Sequence, residues 1–271
     1  MIRLNNGIEM PALGVGTGGL TSSGGFLSGQ ALVDTINTAI DIGYRHIDTA
    51  SNYGNEVAIG RTLNALIANG IVNREDLFVT TKIFWHTFPV TDIMAATVEA
   101  VRLSVQQLDL QYVDLMLLHR PRDVVPDYNA QVWRGLEWAL SAGLVRAIGV
   151  SNFGVPELEG LLSTALVVPA VNQIKSHPKC GNRDVIDWCH KQGIRVTAHT
   201  PLGAGSLTTD ETIGSIGRTY GKSAAQVMIK WQLQRGLAVI PKTTKTTRIC
   251  DNFNVFDFSL TEEEMNVLEN M

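Results

Sequence analysis

Four residues able together to deliver a proton to a carbonyl oxygen stand at or just past the ends of apolar runs: Asp48, Tyr53, Lys82 and His119. Asp48 closes an Ile47-containing run, with Tyr53 five residues on; Lys82 follows Phe78-Val79, and His119 follows Leu115-Met116-Leu117-Leu118. A free tyrosine, with a pKa of about 10, is a poor donor at neutral pH. A close ammonium favours the phenolate and is expected to lower that value. A carboxylate beside the ammonium keeps it charged and fixed, and an imidazole at the mouth can hydrogen-bond a substrate oxygen. Such a set protonates a developing alkoxide, as carbonyl reduction requires. Taken singly the four say little. An Asp–Lys pair is more often structural, a strand-end histidine is often just a satisfied polar group, and a tyrosine after a strand usually packs. Their joint placement carries the reading.

The elements that must position these residues are legible as alternation. Short apolar runs at 12–15, 46–48, 78–82, 113–119, 147–150, 170–173, 195–199 and 238–240 read as eight strands. Helical periods lie between them. Leu32, Ile36, Ala39 and Ile40 form one apolar face with Gly43 as its stop, and Ile93, Ala96, Ala100, Val101, Val105 and Leu108 form another. Ser223 with Gln226, and Thr261 with Glu264, have capping-box spacing. Arg3 to Met10, turning at Asn5-Asn6-Gly7, reads as a β-hairpin. Strand–helix alternation throughout predicts an α/β fold with parallel strands: a (β/α)8 TIM barrel preceded by the hairpin, with a doubly wound sheet as the alternative. In a barrel the strands' C-terminal ends converge on one face, where active sites sit. Further runs end in Ser151-Asn152, Asn172-Gln173, His199 and Lys242. Polar loop starts explain one or two such endings, but not Asp, Lys and His on neighbouring strands.

The chain has 271 residues, 45 % hydrophobic and 18 % charged, with a net charge of −4. One barrel domain over 1–271 fits that length. The acidic balance argues against nucleic acid as a partner. Cys180, Cys189 and Cys250 contain no Cys-x-x-Cys and read as reduced thiols. There is no apolar run long enough for a membrane span and no signal-peptide core at the N-terminus. No His/Cys/Asp/Glu cluster has metal-ligand spacing. A cytoplasmic monomer acting on a small molecule, without metal, is expected.

The motifs resemble those of the aldo-keto reductases: GYRHIDTASNYGNE (Gly43 to Glu56), LDLQYVDLMLLHRP (Leu108 to Pro121), AIGVSNF (Ala147 to Phe153), VNQIKSHP (Val171 to Pro178), PLGAGSL (Pro201 to Leu207) and IPKTTKTTRICDN (Ile240 to Asn252). The similarity runs in register from Leu4 to the C-terminus. It implies a (β/α)8 barrel that binds NADPH (NADP) without a Rossmann domain and reduces an aldehyde or ketone. Tyr53 would be the general acid, assisted by Lys82 and Asp48, and His119 would orient the carbonyl. Ser151, Asn152 and Gln173 would hold the nicotinamide carboxamide. Leu202, Gly203, Ser206 and Leu207 would lie along the pyrophosphate. Lys242, Thr243 and Arg248 would hold the 2′-phosphate, and Asn252 the adenine. The residues agree: Pro-Lys-Thr-Thr-Lys-Thr-Thr-Arg is a cationic, hydroxyl-rich stretch suited to phosphate. Alone it would read as a solvated basic loop.

The chain departs from the family pattern at several points. His199 stands where an aromatic residue stacks on the nicotinamide; imidazole offers less area and titrates. Gly18 and Arg120 stand where Trp is common, Lys175 and Asp251 where Glu is common, and the long C-terminal substrate loop is expected to be absent. These changes imply a wide pocket walled by Phe26, Trp85 and His86, with Arg120 either favouring an anionic substrate or facing solvent. Two other functions use the same residues: a barrel enzyme forming a Schiff base at Lys82, like an aldolase, or a non-catalytic NADPH-sensing subunit.

Overall fold

The fold was obtained as a computed structural model that describes residues 1–19, 25–84, 92–122 and 127–271. The chain opens with two short antiparallel strands, β1 (Ile2–Arg3) and β2 (Glu9–Met10). Leu4 and Met10, which flank the turn, bury against Phe78, Leu115, Leu117, Ala147 and Val171. The predicted hairpin therefore plugs the N-terminal end of the larger sheet.

That sheet has eight strands, each parallel to its neighbours: β3 (Val15–Gly16), β4 (His46–Asp48), β5 (Phe78–Ile83), β6 (Val113–Leu118), β7 (Val145–Ser151), β8 (Val171–Lys175), β9 (Arg195–His199) and β10 (Ala238–Val239). They pair in sequence order, and a parallel bridge from Leu13 to Val239 returns the last strand to the first. Gly14 donates to the Val239 carbonyl and Val239 donates to that of Ala12, both at 2.8 Å. The sheet is thereby closed as a (β/α)8 barrel, which removes both edges. The first strand is displaced from its expected span of 12–15: its ladder to β4 lies at Val15–Gly16, while Leu13 serves β10.

The crossovers follow the apolar periodicity. Helix α1 (Gly29–Ile42) buries Leu32, Ile36, Ala39 and Ile40, and stops at Gly43 in the left-handed region with φ 115°. Helix α3 (Ile93–Leu108), which follows α2 (Glu56–Ala68), starts where Asp92 accepts from the Ala95 amide at 3.0 Å. The ring continues through α4 (Tyr128–Ser141), α5 (Val155–Leu162) and α6 (Arg183–Lys191). Two helices, α7 (Glu211–Tyr220) and α8 (Ala224–Gln234), separate β9 from β10, and α9 (Thr246–Phe253) and α10 (Glu262–Glu269) complete the ring. Both predicted capping boxes form, at the starts of α8 and α10. No helix among the described residues is long and apolar enough to cross a membrane.

Candidate active site

Parallel register brings the first three groups together. Asp48 pairs with Thr80 across β4 and β5, and Lys82 lies two residues further up β5 on the same face. The Lys82 ammonium donates to Asp48 Oδ1 at 2.6 Å and to the Thr49 carbonyl at 2.8 Å. From the far side of the barrel, Gln173 Nε2 donates to Asp48 Oδ2 at 2.7 Å. Lys82 is 1 % exposed and Asp48 2 %. Burial alone would depress the lysine pKa, but Asp48, Tyr53 and their hydrogen bonds outweigh it and raise the value. Lys82 is therefore a fixed cation.

Tyr53 sits on a single 3-10 turn, Ser51–Tyr53, closed by Gly54. Lys82 Nζ lies 5.2 Å from the centre of its ring. Phe26 stacks on that ring at 4.5 Å and 18°. The Gly18 backbone covers it too, since a Cβ there would come within 2.3 Å of the ring carbons. These neighbours reverse the expectation for the phenol. Burial raises the Tyr53 pKa by more than the Lys82 and Arg120 charges lower it, so the net direction is upward. Tyr53 stays protonated at neutral pH.

His119 follows β6, with its ring edge-on to Tyr53 at 5.9 Å and to Phe84 at 5.2 Å. Burial, then the Lys82 and Arg120 charges, push its pKa down to about 2. The ring is therefore neutral, and its buried Nδ1 has no hydrogen-bond partner among the described residues. Arg120, the next residue, is exposed.

The residues expected to hold a cofactor line the same rim. Ser151 Oγ donates to the Gln173 carbonyl at 2.7 Å. Asn152, with φ 60°, donates from Nδ2 to the His119 carbonyl at 2.9 Å and to Ser151 Oγ at 3.0 Å. His199 Nε2 is 2.9 Å from Asn152 Oδ1. Leu202 and the turn Gly203–Gly205 come next, and Ser206 Oγ donates to the Gly203 carbonyl at 2.7 Å. Leu207 is 5 % exposed and packs with Ile213, Val227 and Trp231, so its side chain belongs to the core.

Arg248 is exposed in the first turn of α9, whose N-terminal amides receive no side-chain cap. Thr243 lies just ahead of that helix and Lys242 just past β10, its ammonium donating to the Gly25 carbonyl. Asn252 is buried one turn beyond Arg248. Cations near uncapped helix amides are groups that fit a phosphate. Trp85 and His86 lie outside the described residues.

Two residues central to the geometry were not singled out in the sequence. Thr49 supplies a carbonyl to Lys82, and its hydroxyl donates to Asn55 Oδ1 at 2.6 Å. Asn55 in turn donates to the Leu27 carbonyl at 3.0 Å, holding the segment that carries Phe26. Their placement inside the Gly43 to Glu56 motif was the available signal.

The comparisons agree with this geometry. The model of the aldo/keto reductase family matches residues 12–271. A Bacillus subtilis (strain 168) protein called uncharacterized oxidoreductase YtbE is 40 % identical, over 98 % of this chain and 90 % of its own. Glyoxal reductase of the same organism is 38 % identical, over 99 % and 91 %. The crystal structure of Bombyx mori aldo-keto reductase AKR2E4 in complex with NADP superposes with a TM-score of 0.89 at 34 % identity, over 99 % of this chain and 91 % of its own. With the match spanning the whole barrel and every rim residue named above, this chain belongs to the aldo/keto reductase family.

Proposed function

We propose that this protein is an NADP(H)-dependent oxidoreductase that reduces a small aldehyde or ketone to an alcohol, with the proton supplied by Tyr53. The observation that carries the reading is the pairing of a phenol held protonated by burial with a buried lysine held cationic by Asp48. One feature fits the cofactor: Lys242, Thr243 and Arg248 lie at the start of α9, whose N-terminal amides receive no side-chain cap. When bound, NADPH supplies the hydride.

The chain's own part is the proton. As the carbonyl oxygen gains charge, the Tyr53 O–H bond breaks toward it and an alcohol forms. The phenolate left behind is stabilised by the Lys82 ammonium and, more weakly, by Arg120. Asp48 holds Lys82 in place, with Gln173 and Thr49 completing the clamp. His119, neutral because its pKa is pushed to about 2, is no general acid; it is suited to one neutral hydrogen bond that orients the carbonyl. Ser151, Asn152, Gln173 and His199 would meet the nicotinamide end, Leu202, Gly203, Ser206 and the Leu207 backbone the pyrophosphate, and Asn252 the adenine.

The charged state of Lys82 speaks against a Schiff base, which needs a neutral amine. The test is Tyr53→Phe, followed by NADPH oxidation at 340 nm on a carbonyl panel that includes glyoxal. Turnover should fall by about a hundredfold or more while NADPH binding, read by tryptophan fluorescence, is retained. Full turnover in that variant would remove Tyr53 as the acid. Binding without turnover on every carbonyl by the unmutated protein would favour a sensing role.

A further inference from the structure

The charges of the rim do not balance. Lys82 and Asp48 cancel as a buried pair, and the second Asp48 oxygen is taken by Gln173. Arg120 is left over. Its place at the mouth is fixed by the residue before it: the His119 amide donates to the Ile83 carbonyl at 3.1 Å, and the His119 carbonyl accepts from Asn152 at 2.9 Å. The chain thus enters Arg120 between the ends of β5 and β7. Two residues on it has turned to the helix layer, where the Arg122 amide donates to Asn129 Oδ1 and its guanidinium lies 5.1 Å from the centre of the Tyr128 ring. Arg120 is exposed and makes no hydrogen bond, ion pair or ring contact among the described residues. Its charge nevertheless acts on Tyr53, His119 and His199, which stand at the ends of three different strands. A guanidinium in electrostatic reach of all three lies at the opening that they enclose. The charges acting on His119 and His199 are all cationic, with Lys175, exposed at the end of β8, adding to the field at His199.

We infer that Arg120 is a specificity-determining residue, and that the substrate carries an anionic oxygen group, a carboxylate or a phosphate, a few bonds from its carbonyl. The inference rests on the proposed reduction at Tyr53. Arg120 follows directly on His119, the residue suited to orient the carbonyl, so one small molecule engages both only if its charge lies close to its reacting carbon. The N–H donors of a guanidinium form a planar fork that matches the edge of a carboxylate or phosphate. None of these donors is spent on the described residues. An uncompensated cation at the mouth of a cleft draws in an opposite charge and repels a like one. The same residue therefore selects against a cationic substrate. A tryptophan at this position would carry no charge and could do neither.

The experiment is a charge series on one ring: 4-carboxybenzaldehyde, methyl 4-formylbenzoate and 4-(trimethylammonio)benzaldehyde place a negative, a zero and a positive charge at the same distance from the carbonyl. Ring substituents also change intrinsic reactivity, and Arg120 acts weakly on the Tyr53 phenolate, so the readout is the change of each ratio between parent and variant. Arg120→Met should lower kcat/KM for the carboxylate about tenfold more than for the ester, mainly through KM, and should narrow the gap between ester and cation. Arg120→Lys, which keeps the charge but loses the fork, should retain part of the preference. Glyceraldehyde 3-phosphate against glyceraldehyde asks the same of a phosphate, and the pair with the larger differential loss identifies the group. Equal losses within both pairs in Arg120→Met would overturn the inference and leave reduction at Tyr53 standing. Calorimetric titration of the same pairs into the NADP-loaded protein needs no turnover. A preference for the anion that Arg120→Met removes would uphold the recognition even if the proton chemistry failed, and equal affinities within both pairs would overturn it.

Discussion

Acid should destabilise this protein through two histidines of the rim, and the size of the effect follows from their neutrality. His119 and His199 are held at pKa values of about 2 and about 3, burial being the larger cause in each. The cations acting on the His199 ring are Lys82, Arg120 and Lys175, with His177 adding to them. In the unfolded chain both imidazoles titrate at about 6.5. Below that pH the unfolded state takes up protons that the folded state refuses, so stability falls as pH falls. Each ring contributes a slope of about 1.4 kcal/mol per pH unit. Between about pH 6.5 and pH 4.5 that amounts to about 2 kcal/mol for each ring and 4 to 5 for the pair. His46, His177 and His190 are also lowered and act in the same direction, whereas buried Glu56, whose pKa is raised, acts in the opposite one. A variant isolates one ring from this background. Urea unfolding followed by tryptophan fluorescence at several acidic pH values should give His199→Phe a slope shallower than the parent's by about 1.4 kcal/mol per pH unit. The absolute stability of the variant also changes through lost hydrogen bonds, so only the slope is diagnostic. Equal slopes would mean that His199 takes up a proton in the folded protein as readily as in the unfolded chain, and the lowering of its pKa by burial would be refuted.

Three further perturbations probe the rest of the machinery. Asp48→Asn leaves the buried Lys82 ammonium without its ion-pair partner, and should lower unfolding free energy in urea by about 3 kcal/mol or more; an unchanged midpoint would show that the pair is not held in place. Gly18→Ala places a Cβ within 2.3 Å of the Tyr53 ring, and should reduce kcat by about tenfold or more with little change in NADPH binding; wild-type kcat would show that the phenol works from another position. Arg248→Ala should weaken NADPH by about tenfold or more in a fluorescence titration and leave NADH nearly unchanged; equal losses would remove the 2′-phosphate contact.

What was legible in the sequence, and what was not, divides along a physical line. Asp48, Lys82 and His119 could be found because an apolar run ending in an ionisable group is a one-dimensional pattern, and parallel pairing with short stagger turns such endings into neighbours. The hairpin and helix faces are local patterns of the same kind. The direction of the Tyr53 pKa was not legible, because it depends on a balance. The ammonium next to the phenol is implied by the motif, but the burial that outweighs it comes from Phe26 and the Gly18 backbone, two surfaces brought to the ring only by the closed barrel. The first strand slipped from its expected span because a closing strand serves two neighbours, and its hydrophobic run does not say which residues face which.

His199 is the sharpest case. As a substitution for an aromatic ring it reads as a smaller stacking platform, since stacking is the property the two residue types share. What the imidazole adds is a pair of ring nitrogens close to the backbone, and their use depends on where Oδ1 of a residue 47 positions earlier points. That orientation is set by a left-handed backbone at Asn152 and by two carbonyls, of His119 and Gln173, that can only accept. The change of residue type thus adds a hydrogen bond within the rim, at a point where the neighbouring acceptors leave the amide only one orientation.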